Sequence, residues 1–258
     1  MNYNLEYYTN GIVQFDAAKE LMQLMPKQAD SVLDIGCGSG KVSHLIYEHV
    51  LPKFMLAIDS SEEMINQARL LYPDSKLLFS HQSIEQFVPD RAFELITANS
   101  SFQWYQDYDA SINTIKNSLR SSGVFVLQTP YKQDWCPQVS VLMHQFFTHH
   151  YPDLGQNFKL PCMHFDYPEQ YVDLFESKNF TTVSLKTRHF EYRFSGDDFR
   201  KFFMSGAYKV YTLAKSYSVA MPNRFAEDLE HFVNVKTRGN KEFEVCISRV
   251  MASFKPIE

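Results

Sequence analysis

Short apolar runs alternate with amphipathic segments through the first half of the chain. The runs are rich in β-branched and large aliphatic residues, which is typical of buried strands, while the segments between them repeat apolar residues at helical spacing. The strands predicted in this way are Val32–Ile35, Phe54–Asp59, Lys76–Ser80, Phe93–Asn99 and Val124–Gln128. Helices are predicted within residues 1–30 and over 42–50, 61–71 and 111–119, with a turn at Ser121–Gly123. This alternation predicts an α/β fold, with a parallel sheet that carries helices on both faces.

The pattern changes after Pro130, where helices and strands no longer alternate regularly. Helices are predicted over 139–150, 168–178, 199–217 and 225–235, strands over 181–194 and 242–254, and irregular structure over 151–168. The sequence contains neither an internal repeat nor an obvious linker. We therefore predict a single domain over 1–258, in which residues 130–167 and 195–236 are insertions that cover the open end of the sheet.

Composition and charge exclude several classes of function. With 258 residues, 45% of them hydrophobic, the chain can bury a substantial core. A net charge of −5 without long basic runs argues against nucleic acid as a partner. No apolar run approaches the roughly 18 residues that a membrane span needs. The nine histidines lack metal-ligand spacing, and four widely separated cysteines indicate reduced thiols. We expect a cytoplasmic protein without a signal peptide or metal, as a monomer or homodimer.

A glycine-rich loop follows the first predicted strand, with the pattern Asp34-x-Gly36-x-Gly38-x-Gly40. A dinucleotide-binding loop has Gly-x-Gly-x-x-Gly instead, and it binds a pyrophosphate. The acid two residues before the first glycine would repel a pyrophosphate, but it suits a ligand with a positive end. Asp59 lies 19 residues beyond Gly40, at the end of the second strand, where an acid can bind two ribose hydroxyls. The two motifs together predict a nucleoside with a cationic tail.

S-adenosylmethionine is such a nucleoside, and the pattern resembles the class I methyltransferases that use it. The resemblance covers about residues 30–130 and implies a Rossmann-like, seven-stranded, mostly parallel sheet with a helical cover subdomain. It also implies that residues 31–130 form the cofactor-binding half and that residues 1–30 form an N-terminal helical lid. A Rossmann-like domain that binds another nucleotide, or none, is the alternative.

The resemblance also implies further cofactor contacts. Ser83 and Ile84 match the pair that reads the adenine, although serine replaces the usual aspartate. Met64 matches the apolar residue that packs on the adenine, and Asn99 matches the residue next to the methyl donor. The complete predicted cofactor site is Asp34, Gly36, Cys37, Gly38, Gly40, Asp59, Ser60, Met64, Ser83, Ile84 and Asn99.

Two segments resemble methyltransferases that act on small acids, namely the trans-aconitate, malonyl-carrier-protein and juvenile hormone acid enzymes. The loop Trp104–Asp107 is shared with this group, and Asn10–Ala17 is similar to the juvenile hormone acid enzymes. The resemblance implies that Gln14 and Trp104 are substrate-site residues. The alternatives are a solvated helix residue for Gln14 and a half-buried core indole for Trp104.

The predicted reaction is carboxyl O-methylation of a small-molecule or carrier-bound acid. A carboxylate is already ionised at pH 7, so the enzyme mainly has to align it and remove its water. A phenol, alcohol or amine is the alternative acceptor, with a histidine as base. A non-catalytic cofactor-binding partner subunit is the second alternative. The available histidines are His144, His149, His164 and His189, and Arg188, Arg193 and Lys209 are candidates for binding a second acid group.

Overall fold

The computed structural model describes residues 12–74, 76–132, 134–163, 165–239 and 241–257. Its strands are β1 (Ser31–Ile35), β2 (Phe54–Asp59), β3 (Leu77–His81), β4 (Phe93–Asn99), β5 (Leu119–Pro130), β6 (Phe180–Ser195) and β7 (Glu242–Pro256). Its α-helices are α1 (Ile12–Met22), α2 (Lys41–Val50), α3 (Glu62–Leu71), α4 (Tyr108–Ser118), α5 (Pro137–His150), α6 (Pro152–Gln156), α7 (Glu169–Glu176), α8 (Gly196–Ser205), α9 (Ala207–Tyr211) and α10 (Phe225–Thr237). No helix in these ranges is long and apolar enough to cross a membrane.

The strands form one seven-stranded sheet in the order β3-β2-β1-β4-β5-β7-β6. Strands β1 to β5 pair in parallel, and β7 pairs antiparallel with β5. The predicted Rossmann-like, mostly parallel sheet is therefore confirmed. Because the chain runs outward from β1 in both directions, the loops after β1, β2 and β4 meet at one edge of the sheet, where such folds bind ligands.

The chain forms two compact units, of which the first contains Gln14–Gln133, His164–Arg188 and Arg249–Glu258. One apolar cluster of this unit includes Leu21, Val32, Ile46, Met55 and Ile65, all fully or almost fully buried. The same unit contains stacked phenylalanine rings. The ring of Phe175 lies 4.3 Å from that of Phe254 and 5.3 Å from that of Phe125, measured between ring centroids. This unit carries the parallel strands and their loops.

The second unit consists chiefly of Asp134–Met163 and His189–Ser248. Its core is aromatic: the ring of Phe146 lies 5.5 Å from that of Phe225 and 5.2 Å from that of Phe232. Phe203 and Leu229 are fully buried in the same cluster. Many of the aromatic residues in the second half of the chain therefore serve as core residues of this unit.

Three local expectations need correction. Ser121–Gly123, predicted as a turn, lies within β5. The β4–β5 pairing shifts register there, with Leu119 opposite Phe93 and Val124 opposite Leu95, so the extra residues form an irregularity of the strand. A Cβ on Gly123 would approach the backbone oxygen of Phe93 to 2.9 Å, which is why glycine occupies this position.

The other two corrections concern helices. Residues 199–217, predicted as one helix, form α8, α9 and a short 3₁₀ turn, because Gly206 leaves the helical conformation with φ −132° and ψ −70°. Residues 151–168, predicted as irregular, contain α6, which begins at Pro152, a favourable first residue for a helix. Most of the predicted lid over residues 1–30 is described from Ile12 onwards, whereas residues 1–11 lie outside the described residues, as does His164.

Candidate active site

The glycine-rich loop turns sharply after β1 and is held by the end of β2. The backbone N–H groups of Gly36 and Cys37 both donate to the backbone oxygen of Ile58, at 2.8 and 3.0 Å. Gly36 has φ +74°, a conformation that side chains disfavour, and a Cβ there would overlap Cβ of Ser101. Glycine at position 36 therefore lets the loop after β4 approach the loop after β1.

Asp59, at the end of β2, ties the loop to the next helix. One carboxylate oxygen accepts from the backbone N–H of Gly38 at 2.8 Å, and the other accepts from the backbone N–H of Ser61 at 2.8 Å. Ser61 caps α3 by accepting from the backbone N–H of Met64 at 3.3 Å. The side chain of Asp59 is therefore oriented before any ligand binds.

Asp34 lies beneath the loop rather than at its surface. The side chain is 2% exposed, and its two oxygens accept from the hydroxyls of Ser43 and Thr97, both at 2.6 Å. Burial raises the pKa of Asp34, and the negative charge of Asp59 adds to the rise, while the two hydroxyl bonds oppose it. Through these two bonds Asp34, which lies in β1, is connected to α2 and β4.

An open cavity of about 570 Å³ lies over this edge of the sheet. That volume falls within the range of about 300–1,000 Å³ typical of small-molecule sites. Six of the predicted site residues line it: Gly36, Asp59, Ser60, Ser83, Ile84 and Trp104. The other lining residues are Ile35, Gln82, Glu85, Gln86, Ser100, Ser101, Tyr105, Gln106 and Asp107.

The remaining predicted site residues are outside that lining: Gln14, Asp34, Cys37, Gly38, Gly40, Met64 and Asn99. Cys37 is 8% exposed, and burial, with the nearby charges of Asp34 and Asp59, raises the pKa of its thiol. Gln14, on α1, has an exposed side chain, and its backbone oxygen accepts from the amide of Asn99 at 3.4 Å. This contact brings Gln14 next to the end of β4.

Sequence reasoning missed part of the cavity rim beyond Asp59, namely Gln82, Glu85 and Gln86. Ser83 precedes a 3₁₀ turn, Ile84–Gln86, and Glu85 accepts from the backbone N–H of Gln106 at 2.9 Å. This bond links the segments after β3 and β4. The acidic and amide residues at 82–86 were the available signal, because they directly follow a predicted strand.

Trp104 ends the 3₁₀ turn Phe102–Trp104 and is 40% exposed, with its side chain in the cavity wall. Gln106 holds its backbone, since the side-chain amide of Gln106 donates to the oxygen of Trp104 at 2.8 Å. The neighbouring Tyr105 has a pKa raised by burial, so its hydroxyl stays neutral. The Tyr105 hydroxyl lies 3.5 Å from the hydroxyl of Ser101, which donates to the backbone oxygen of Ile35 at 2.6 Å.

Several polar side chains are buried near the ends of β4 and β5. Asn99 is 9% exposed and Gln128 is fully buried. Ser100, between β4 and the cavity, has φ +56° and donates both its backbone N–H and its hydroxyl to Gln128, at 2.8 and 2.6 Å. A positive φ in a residue other than glycine is uncommon and often marks functional sites.

Comparison with known proteins supplies the family. A family model described as "Methyltransferase domain" matches residues 10–185. Trans-aconitate 2-methyltransferase of Escherichia coli O157:H7 is 33% identical over 141 residues, which make up 54% of this chain and 54% of that enzyme. The chain thus spans about half the length of the curated relatives it matches.

Solved structures share the fold at low sequence identity. The N-methyltransferase NodS from Bradyrhizobium japonicum, in complex with S-adenosyl-L-homocysteine, is 12% identical with a TM-score of 0.51, over 100% of this chain and 90% of that chain. The [4+2]-cyclase SpnF is 14% identical with a TM-score of 0.57, over 96% and 82%. These likenesses show the fold alone. The family model covers more than half of the chain, so the protein belongs to the methyltransferase-domain family.

Proposed function

We propose that this methyltransferase transfers the methyl group to a carboxylate oxygen of a small-molecule or carrier-bound acid. The observation that carries the proposal is the 33% identity to enzymes named trans-aconitate 2-methyltransferase. Trp104 in the cavity wall and Gln14 beside Asn99 are consistent with a substrate side at the end of β4.

The cofactor's residues are proposed from the cavity lining and from the residues next to it. S-adenosylmethionine, when bound, supplies a methyl group on a positively charged sulfur. Asp59 offers carboxylate oxygens to ribose hydroxyls, and the space around Gly38, where a Cβ would meet nothing within 4 Å, leaves the loop backbone accessible. Ser83 and Ile84 would contact the adenine, and Asn99 would lie near the methyl group. These residue types fit a nucleoside with a cationic tail.

The acceptor is held by neutral donors in this proposal. The indole N–H of Trp104 and the amide of Gln14 can each donate to a carboxylate oxygen. A neutral donor orients the oxygen while leaving its charge available for attack, whereas a close ion pair would reduce it. Orientation and the removal of water are then the enzyme's main contributions.

A carboxylate acceptor needs no general base, and the residues that line the cavity are consistent with such an acceptor. No histidine is among the lining residues in the described part of the chain. His149 interacts with the backbone oxygen of Gln145 at 2.7 Å, and His189 with the hydroxyl of Ser248 at 3.0 Å. Gln145 and Ser248, the partners of these two histidines, do not line the cavity. We therefore prefer carboxyl methylation over methylation of a phenol, alcohol or amine.

The test is an acceptor panel of carboxylic acids, phenols, alcohols and amines, assayed with radiolabelled S-adenosylmethionine. We expect label in at least one acid, released as methanol by mild base, because methyl esters hydrolyse under conditions that leave ethers and methylamines intact. Asp59→Ala, which is expected to bind the cofactor more weakly, is the matched control for background labelling. Base-stable label in a phenol or amine would overturn the proposal. Tight cofactor binding without turnover of any acceptor would favour a non-catalytic subunit.

A further inference from the structure

Two cysteines of the second unit approach the same side-chain oxygen. Oε1 of Gln138 accepts from the thiol of Cys136 at 3.9 Å and from the backbone N–H of Cys246 at 3.2 Å. Cys136 directly precedes α5, whereas Cys246 lies in β7, 108 positions beyond Gln138. Because both contacts are made to one atom, the sulfur of Cys136 lies close to the backbone of Cys246 although the two residues are far apart in the chain.

The two thiols differ in their access to solvent. Cys246 is partly exposed, and together with Gln138, Glu191 and Glu244 it lines an open cavity of about 390 Å³ in the second unit. Cys136 is 1% exposed. A small oxidant can therefore reach Cys246 from the cavity, while burial protects Cys136 from direct attack. Redox-sensitive cysteines commonly combine an accessible thiol with a second thiol close to it.

The start of α5 provides donors for the sulfur of Cys136. Burial raises the pKa of Cys136 to about 11, and the backbone N–H groups of Val139 and Gln138, which face its sulfur, oppose the rise. Cys136 is therefore a neutral thiol at pH 7. The same N–H groups stabilise negative charge on the sulfur when it attacks an oxidised partner, as the N-terminus of a helix does for other thiolates.

The other two cysteines lie in different surroundings. Cys37 is 8% exposed and belongs to the glycine-rich loop of the first unit. Burial raises the pKa of Cys162, in the second unit, to about 12. Neither residue lines the cavity that contains Cys246. Oxidation of the protein by a small reagent is therefore expected to begin at Cys246.

We propose that Cys246 is a peroxide-sensitive modification site, and that Cys136 converts its oxidised form into a reversible disulfide. The thiolate of Cys246 attacks one oxygen of hydrogen peroxide, the O–O bond breaks, and the leaving hydroxide takes up a proton to become water. The sulfenic acid formed on Cys246 is then attacked by the sulfur of Cys136, the S–O bond breaks, and the thiol proton of Cys136 leaves with that oxygen in a second water. Peroxide gains the two electrons that the sulfurs lose, and the disulfide joins the start of α5 to β7.

The test treats the reduced, full-length protein with hydrogen peroxide and maps its peptides by mass spectrometry under non-reducing conditions. We expect a peptide pair joined through Cys136 and Cys246, the loss of two titratable thiols, and the return of both after dithiothreitol. Because a cross-link over a long segment constrains the unfolded chain, the midpoint of thermal unfolding should rise by at least about 5 °C. Cys162→Ser is the matched control, and it should form the same disulfide to the same extent.

Two further variants separate the roles of the sulfurs. Cys246→Ser should form no disulfide at Cys136, and Cys136→Ala should accumulate a sulfenic acid at Cys246, which dimedone traps as a stable adduct. If either variant does not fold, the peptide map of the wild-type protein decides alone. Oxidation of Cys246 to a sulfinic acid without a bond to Cys136 would overturn the proposal. An unchanged thiol count, or a disulfide that forms only between separate chains, would overturn it as well.

Discussion

The carboxylate of Asp59 accepts a hydrogen bond from the backbone N–H of Gly38 at 2.8 Å. The bond connects the end of β2 with the glycine-rich loop after β1, although the two residues are 21 positions apart in the chain. The acid proposed to bind the ribose therefore also positions the loop beneath it. Loss of this side chain should act on the cofactor site twice, through the missing contact and through the loosened loop.

Asp59→Ala is expected to weaken binding of S-adenosylhomocysteine at least about 10-fold, because hydrogen bonds to a charged group contribute about 1.5–3 kcal/mol each. Calorimetric titration measures the effect. Asp59→Asn keeps one oxygen acceptor and should lie between alanine and wild type. Equal affinity for wild type and Asp59→Ala would show that this carboxylate takes no part in cofactor binding.

Gly36 and Gly38 differ in the space available to a side chain, and this difference predicts unequal stability effects. A Cβ at position 36 overlaps Ser101, whereas one at position 38 meets nothing within 4 Å, although both residues have positive φ. Gly38→Ala should cost about 1–2 kcal/mol of unfolding free energy, and Gly36→Ala about 1–3 kcal/mol more because of overpacking. Urea unfolding measures both values.

The double variant Gly36→Ala/Ser101→Gly supplies the control for that comparison. Removal of the Ser101 side chain relieves the overlap, so the double variant should be more stable than the sum of the two single changes predicts. Simple additivity would mean that backbone strain alone, rather than the close approach to Ser101, requires glycine at position 36.

Local patterns predicted the strands and both acid motifs because each is contained in a few consecutive residues. The apolar run of β1 and the three glycines after it need no knowledge of the rest of the chain. Ser121–Gly123 was mispredicted for the same reason: serine and glycine favour a turn locally, but pairing of Leu119 with Phe93 begins the strand before them. The tertiary pairing overrides the local preference.

Contacts that depend on the register between distant strands were less predictable. Arg249 is opposite Pro130 only because β7 runs antiparallel to β5. Likewise Glu85 and Gln106 meet through the order of β3 and β4 in the sheet, which the sequence does not encode locally. The hydroxyl partners of Asp34, Ser43 and Thr97, could likewise be identified only from the fold.

The buried Asp34 predicts a pH-dependent contribution to stability. Burial raises its pKa in the folded protein above the ordinary 3.8, so the folded state holds the proton more tightly than the unfolded state. The contribution of Asp34 is therefore complete below pH 3.8 and is lost as the pH rises through the folded-state pKa. Asp34→Asn should gain stability relative to wild type as the pH rises above 3.8, as measured by urea unfolding.

The matched control for that series is Asp109→Asn, since Asp109 is an exposed acid on α4 whose carboxylate pairs with Lys178 at 2.7 Å. The free energy of unfolding of Asp109→Asn, relative to wild type, should not rise with pH as that of Asp34→Asn is expected to do. A gap between wild type and Asp34→Asn that stays constant over the pH range would mean that the bonds from Ser43 and Thr97 fully offset the burial of the charge.

Substitutions of Trp104 should affect substrate positioning much more than cofactor binding. Because its side chain is 40% exposed in the cavity wall, Trp104→Ala should lower kcat/KM for the acid at least about 10-fold and change the affinity for S-adenosylhomocysteine much less. Trp104→Phe keeps an aromatic ring but removes the N–H, so its activity should be intermediate if the indole donates to the carboxylate. Val88→Ala, at an 84% exposed position outside the cavity lining, is the control. Parallel losses of turnover and cofactor affinity in Trp104→Ala would instead assign the indole a structural role.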